Sequence, residues 1–208
     1  MRRYRCHDMA GMEEAAVYRL LSSLVVPRPI ALVSTLSAKG VPNLAPFSFF
    51  TVAAPEPPVL AISAGPRYGR VQKDTVTNIE ASEELVVNVV DTAMAREMNQ
   101  ASLDLPADVD EFALTGLVPI PSRHVEPPRV AQSPAQLECR LLEICGLGKW
   151  KLILASVVAI HLADDLVGDD GRVDCRRVDA IGRLAGELYC RTGHWLAIPR
   201  DGDRPDLR

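Results

Sequence analysis

The sequence predicts a mainly β protein: one antiparallel barrel, incompletely closed, with helices inserted between its strands. Three observations carry this. Segments rich in β-formers at 30–36, 43–52 and 59–63 follow one another across connections too short for a crossover helix, which marks an antiparallel meander and not βαβ units. Further β segments stand at 84–90, 135–144 and 152–162, the last two being long. Between the strands lie stretches with helical start signals, and that much inserted helix argues against full closure. The 208 residues suit one substantial core, so a single domain over 1–208 is expected, with 1–12 and 199–208 as peripheral tails.

Residues 13–21 predict a short amphipathic helix, with Ala16, Val17, Leu20 and Leu21 at helical spacing. It must end before "VVPRPI", because each proline disfavours helical geometry in the residue before it. "IALVSTL" is the first strand, and "SAKG" then turns the chain, with Gly40 able to take positive φ. The next strand, "NLAPFSFFTV", holds three of the four phenylalanines, Phe47, Phe49 and Phe50. Pro46 within it removes a backbone donor, which favours an edge or irregular strand. "APEPP" separates this from "VLAIS". "KDTVTNIEAS" starts a helix, with Asp74 placed to cap it. "ELVVNVV" is a strand, 93–101 a helix, and "PADVDEFALTGL" a capped short helix closed by Gly116. "GDDG" at 168–171 is a turn, and "RVDAIGRLAGELYCRTGHW" combines a short strand with glycine-marked bends.

A net charge of −4 and a pI near 5.6 supply no basic footprint for nucleic acid or an anionic membrane. No run approaches the ~20 apolar residues of a membrane span. The basic start "MRRYRC" is followed by a stretch broken by Asp8, Glu13, Glu14 and Arg19, unlike a signal peptide, so a cytoplasmic protein is expected. Five cysteines, an odd number without CxxC spacing, suit reduced thiols. The histidines His7, His124, His161 and His194 form no HExxH or HxH pair, and no metal site is expected. P-loop, GxGxxG and GxSxG patterns are absent. What remains is a set of small polar groups at strand ends: Ser34, Thr35, Asn43, Ser48 and Ser63. "KDT" adds a helix N-terminus, the Lys73 charge and the Thr75 hydroxyl, which suit a phosphate; an ordinary capped surface helix explains it equally well.

Four segments together, "PRPIALVST", "GVPNLAPFSFF", "PPVLAIS" and "KDTVTN", resemble in order and spacing the flavin reductase-like, FMN-binding split-barrel family, in its flavoredoxin-type branch. "VVAIHLADD" and "RLAGELYCR" resemble that family's second half, so the likeness spans about 17–195. It implies an antiparallel split β-barrel and a homodimer holding flavin near the subunit interface. The segment with Asn43, Ala45, Pro46, Phe47, Ser48 and Phe49 would lie along the flavin, each phenylalanine being equally a core residue. Ser34 and Thr35 match flavin-side hydroxyls, Ser63 the cofactor-binding residue that closes the third strand, and Lys73 and Thr75 the phosphate end. Asn78 would brace the helix. Arg28 fits the PRP element, with a structural ion pair as its alternative role, and Arg183 would approach the flavin or the partner subunit. Two departures, Ala185 in "RLAG" and Ser156 in "ASVV", fall where a reductant or substrate would be met.

The resemblance further implies that no side chain need be catalytic, because the flavin carries the redox chemistry. FMN in preference to FAD, and NAD(P)H as donor, are expectations of the same kind. Two alternatives stay open: a flavoredoxin-like electron carrier serving a redox partner protein, and a non-flavin binding module on the same barrel.

Overall fold

A computed structural model describes residues 2–66, 72–168, 170–194 and 196–198. The expected tail at 199–208 and Asp169 of the "GDDG" turn lie outside the described residues. The chain runs through α1 (Glu14–Leu24), β1 (Arg28–Pro29), β2 (Ala31–Leu36), β3 (Pro42–Phe47), β4 (Phe50–Pro55), β5 (Pro58–Ala64), α2 (Asp74–Ser82) and β6 (Glu84–Val89). Then come α3 (Ala95–Gln100), α4 (Glu111–Thr115), β7 (Pro119–Ile120), β8 (Arg129–Val130), β9 (Ala135–Leu147), β10 (Trp150–Leu162), a 3-10 turn at Asp164–Leu166, β11 (Ile181–Arg183) and β12 (Tyr189–Arg191).

Seven strands form one antiparallel sheet in the order β3-β2-β6-β9-β10-β5-β4. Its two edges, β3 and β4, are consecutive in the chain. Ser48 and Phe49 alone join them, so the sheet curls until its edges adjoin without pairing. This is a split barrel. The backbone N–H of Ser63 donates to the Phe49 carbonyl at 2.7 Å and pins the link to β5. β1, a segment expected only as the break after the helix, pairs with β11, which pairs in turn with β12, in a small side sheet.

Three expectations are corrected. The run 43–52 is two strands, not one, and the first three strands are not a meander, because β4 and β5 sit at the opposite edge from β2 and β3. The reason lies in β3. The Leu44 N–H points away from β2, onto Glu111, and Pro46, two residues on, faces the same way. A proline there leaves the β2–β3 ladder intact but offers no donor outward, so β3 remains an edge. Asp74 is the first residue of α2, not its cap; Lys73 is the cap position and makes no side-chain cap hydrogen bond. Asp110 does cap α4, accepting from the amides of Phe112 and Ala113, and Gly116 closes that helix at φ 74°.

Two cores share β2 as their wall. Ala31 and Val33 face the barrel interior with Leu60, Ile62, Leu85 and Ile153, and Val76 and Ile79 of α2 join them. Ile30 and Leu32 face outward into a second cluster with Leu44, Met94, Met98 and Phe112, under α3 and α4. A strand buried on both faces reads as continuous hydrophobicity, which explains "IALVSTL". Full burial of each large side chain contributes about 1.5–3 kcal/mol. The expected apolar face of α1 is half uncovered: Leu21 is 51% and Leu24 76% exposed.

Candidate functional site: a cleft along the barrel seam

The seam between β3 and β4 opens into a cleft with Pro46 at its centre. Pro46 borders three adjoining cavities. The first is small and polar, walled by Asn43, Ala45, Lys73, Thr75, Glu111 and the 101–105 loop. The second, about 360 Å³, holds Phe47, Ser48, Phe49, Ser63, Lys73, Tyr18 and Trp150. The third, about 220 Å³, lies between Ser48 and Asn99 on one side and Arg183 and Tyr189 on the other.

The polar end is built from buried bonds. Asn43 Nδ2 donates to Thr75 Oγ1 at 3.0 Å, which ties edge strand β3 to the first turn of α2. Asn78 Nδ2 donates to Thr35 Oγ1 at 3.0 Å and ties the same helix to β2. The N-terminus of α2 is thereby held toward the cleft, with its positive dipole end. Lys73 Nζ lies 5.2 Å from the centre of the Phe47 ring. Glu111 shares this end, its Oε2 accepting the Leu44 N–H at 3.2 Å. Burial pushes the Glu111 carboxyl up from its ordinary range, although its own amide and that of Leu44 oppose the shift.

The middle of the cleft is aromatic. Phe49 stacks on Trp150 with centroids 5.2 Å apart and planes at 12°, and Tyr18 stacks on Phe49 at 6.0 Å. Gly65 lies beneath Trp150; a Cβ there would sit 2.9 Å from the indole ring. Phe47 is buried in the barrel core while bordering the cleft, and Phe50 packs on the same core, so the phenylalanines divide between the two expected roles.

Most of the residues singled out in the sequence border this cleft. Ser34 and Thr35 do not. They point to opposite faces of β2: Ser34 Oγ donates to the Pro128 carbonyl at 2.5 Å and accepts from Asn88, while Thr35 serves Asn78. Arg28 is 6% exposed and lies behind Ser48. Its guanidinium donates to the carbonyls of Ser22, Val25 and Leu184 and reaches the Ser48 hydroxyl, so its partners are neutral oxygens and not a carboxylate. Tyr18, Trp150, Glu111 and Asn99 were not foreseen. Tyr18 stands on a helix read for its aliphatic face, and Trp150 follows the Gly148 turn of a hairpin far along the chain. A tryptophan beside a turn, in a chain with two, was the available signal.

Known proteins resemble this chain along most of its length. The flavin reductase-like domain family matches residues 22–178. An uncharacterised protein of Deinococcus radiodurans is 38% identical over 200 residues, covering 93% of this chain and 88% of its own. Nitrilotriacetate monooxygenase component B from Bacillus cereus superposes with a TM-score of 0.90 at 29% identity, covering 95% of this chain and all of the other. Pseudomonas fluorescens 2-nitrobenzoate 2-nitroreductase does so with a TM-score of 0.85 at 31% identity, over 98% of this chain and all of the other. The segments that line the cleft fall within or beside the matched span, and the chain belongs to the flavin reductase-like family.

Proposed function

We propose that the protein binds FMN in the seam cleft and works as a cytoplasmic, homodimeric oxidoreductase that passes electrons from NAD(P)H. One observation carries the reading: segments separated along the chain, 43–49, Ser63 and 73–75, converge on a single cleft around Pro46. The donor set fits the cofactor. Lys73, the Thr75 hydroxyl and the N-terminal end of α2 would hold the phosphate. Ser48 and Ser63 offer hydroxyls to the polar edge of the ring system, and Phe49 with Trp150 walls it from solvent. Thr35 acts at one remove, bracing α2 through Asn78. Bound flavin supplies the hydride and electron transfer, and the protein groups bind it, orient it and exclude water. The similarity to a monooxygenase component and to a nitroreductase supports the oxidoreductase class. Exposed Leu21, Leu24 and Val25 of the α1 end, with Val52 on β4, support a subunit contact beside the cleft.

The test is an absorbance spectrum of purified protein, with FMN added if needed, before and after anaerobic NADH and then NADPH. Flavin bands that bleach with either nucleotide are expected. A second reading, an electron carrier serving a protein partner, draws on the same exposed apolar rim; flavin bands that persist with both nucleotides favour it. Protein that takes up no FMN refutes both.

A further inference from the structure

Beside the third cavity stands a cation pair that the flavin site as proposed does not use: Arg183 lines the cavity and Arg28 is its cross-strand partner. Arg183 lies with its guanidinium carbon 4.5 Å from the centre of the Tyr189 ring and donates to the Tyr189 hydroxyl and the Gly186 carbonyl. That occupies two of its five donors, both on neutral oxygens. Arg28 stands directly opposite it across β1 and β11; burial lowers the Arg28 pKa, Tyr18 opposes that shift and the like charge of Arg183 adds to it, while its own acceptors are Ser48 and three carbonyls. Among the described residues neither arginine has a carboxylate at ion-pair distance. Two cations held together in a half-buried wall without an anion are unfavourable unless something else supplies the negative charge.

We infer that the cavity between Arg183 and Asn99 takes the oxyanion group, a carboxylate or a phosphate, of the second substrate that meets the flavin. The volume selects the size. About 220 Å³ holds roughly seven waters' worth of liquid, enough for a small ring acid or one phosphate group. Position selects the role. Ser48 and Pro46 form both this cavity and the aromatic one, so an anion anchored on Arg183 sets the rest of its molecule against the middle of the cleft. Tyr189 fixes the planar fork of Arg183, the geometry that suits bidentate oxyanion recognition. The description of the ligand as the flavin's reaction partner rests on the function proposed above; the binding of an anion does not.

The experiment is calorimetric titration of the purified protein, as isolated and after FMN loading, with sodium benzoate and with inorganic phosphate. At least one is expected to bind, with affinity reduced about 10-fold or more in Arg183→Met and less in Arg183→Lys, which keeps the charge and loses the fork. Benzoate binding alone identifies a carboxylate substrate, and phosphate binding alone a phosphate of the electron donor. Tyr189→Phe, which removes one hydroxyl, is expected to weaken binding about 2–5-fold and serves if the arginine variants do not fold. The inference is overturned if neither anion binds the wild type, or if Arg183→Met binds as the wild type does. It is equally overturned if Arg183→Met loses FMN and anion affinity in parallel, since Arg183 would then be a flavin residue. Protein that binds an anion yet never takes up FMN would instead sink the proposed function and leave the anion site standing.

Discussion

Glu138 on β9 has 0% exposure and is predicted to be a pH-dependent fastening of the loop between β7 and β8. Its two oxygens accept the Arg123 N–H at 2.8 Å and the His124 N–H at 2.6 Å, and His161 Nε2 lies 2.6 Å away. Glu138→Gln leaves one oxygen for two backbone donors and turns an amide NH₂ toward the other. One unsatisfied buried donor costs about 1–3 kcal/mol, and the lost charge-assisted bond to His161 adds to this, so a destabilisation of roughly 2–4 kcal/mol is expected. At about 2–4 °C per kcal/mol for a chain of this size, the melting temperature falls by roughly 5–15 °C. The sign with pH is defined. Burial alone would raise the carboxyl from its ordinary 4.5, but the amides of Arg123 and His124, then His161, outweigh burial and hold it lower. Its stabilisation is therefore fully present above about 4.5 and is lost as pH falls through the native value. Urea melts of wild type and variant from pH 7 to pH 3 should converge toward the acid end. Parallel curves over that whole range would refute the reasoning.

Other outcomes follow from the cleft and the core. Lys73→Ala is expected to weaken FMN affinity at least about 10-fold, with the effect shrinking in high salt; fluorescence titration of FMN checks it. The raised Glu111 carboxyl contributes stability below its ordinary 4.5 that is lost as pH rises through its native value. Glu111→Gln, which can still accept from Leu44, should flatten that decline, and stability measured from pH 4 to pH 8 decides it. Gly182→Ala would bring a Cβ to 2.7 Å from Pro27 Cβ and 3.1 Å from Cys190 Sγ, an overpacking of about 1–3 kcal/mol visible in a thermal melt. Gly65→Ala would bring a Cβ to 2.9 Å from the Trp150 indole, and should move that ring and change its fluorescence in the presence of FMN.

Local patterns made the strands legible where both faces of a segment are buried or where it alternates. β2, β5, β6 and the long β9–β10 hairpin all stand close to their expected places. The seam was only half visible. Pro46 marked an edge, but that the chain leaves one edge at Phe47 and enters the opposite one at Phe50 is a property of barrel closure, which no window of sequence contains. Asn43 and Thr75 drew attention as polar groups beside a strand and a helix start, and the structure brings them into contact. Ser34 carried the same kind of signal and went elsewhere, because adjacent strand residues face opposite ways and only register decides which face meets the cleft. Arg28 shows the limit most clearly. A buried arginine bonded to backbone carbonyls from α1 and from Leu184 cannot be told, in sequence, from one reserved for a ligand.

The two-residue join at Ser48 and Phe49 limits how far the barrel can gape. Three virtual bonds of about 3.8 Å separate the Cα atoms of Phe47 and Phe50, so at this join the edges can never part by more than roughly 11 Å while the chain is intact. The same strap borders the cleft, which makes the site a strain gauge for its own scaffold: a molecule seated against Ser48 and Phe49 stiffens the seam, and thermal breathing of the seam loosens the molecule. Amides of β3 and β4, remote in sheet order, should then gain protection from hydrogen exchange together when the cleft is filled.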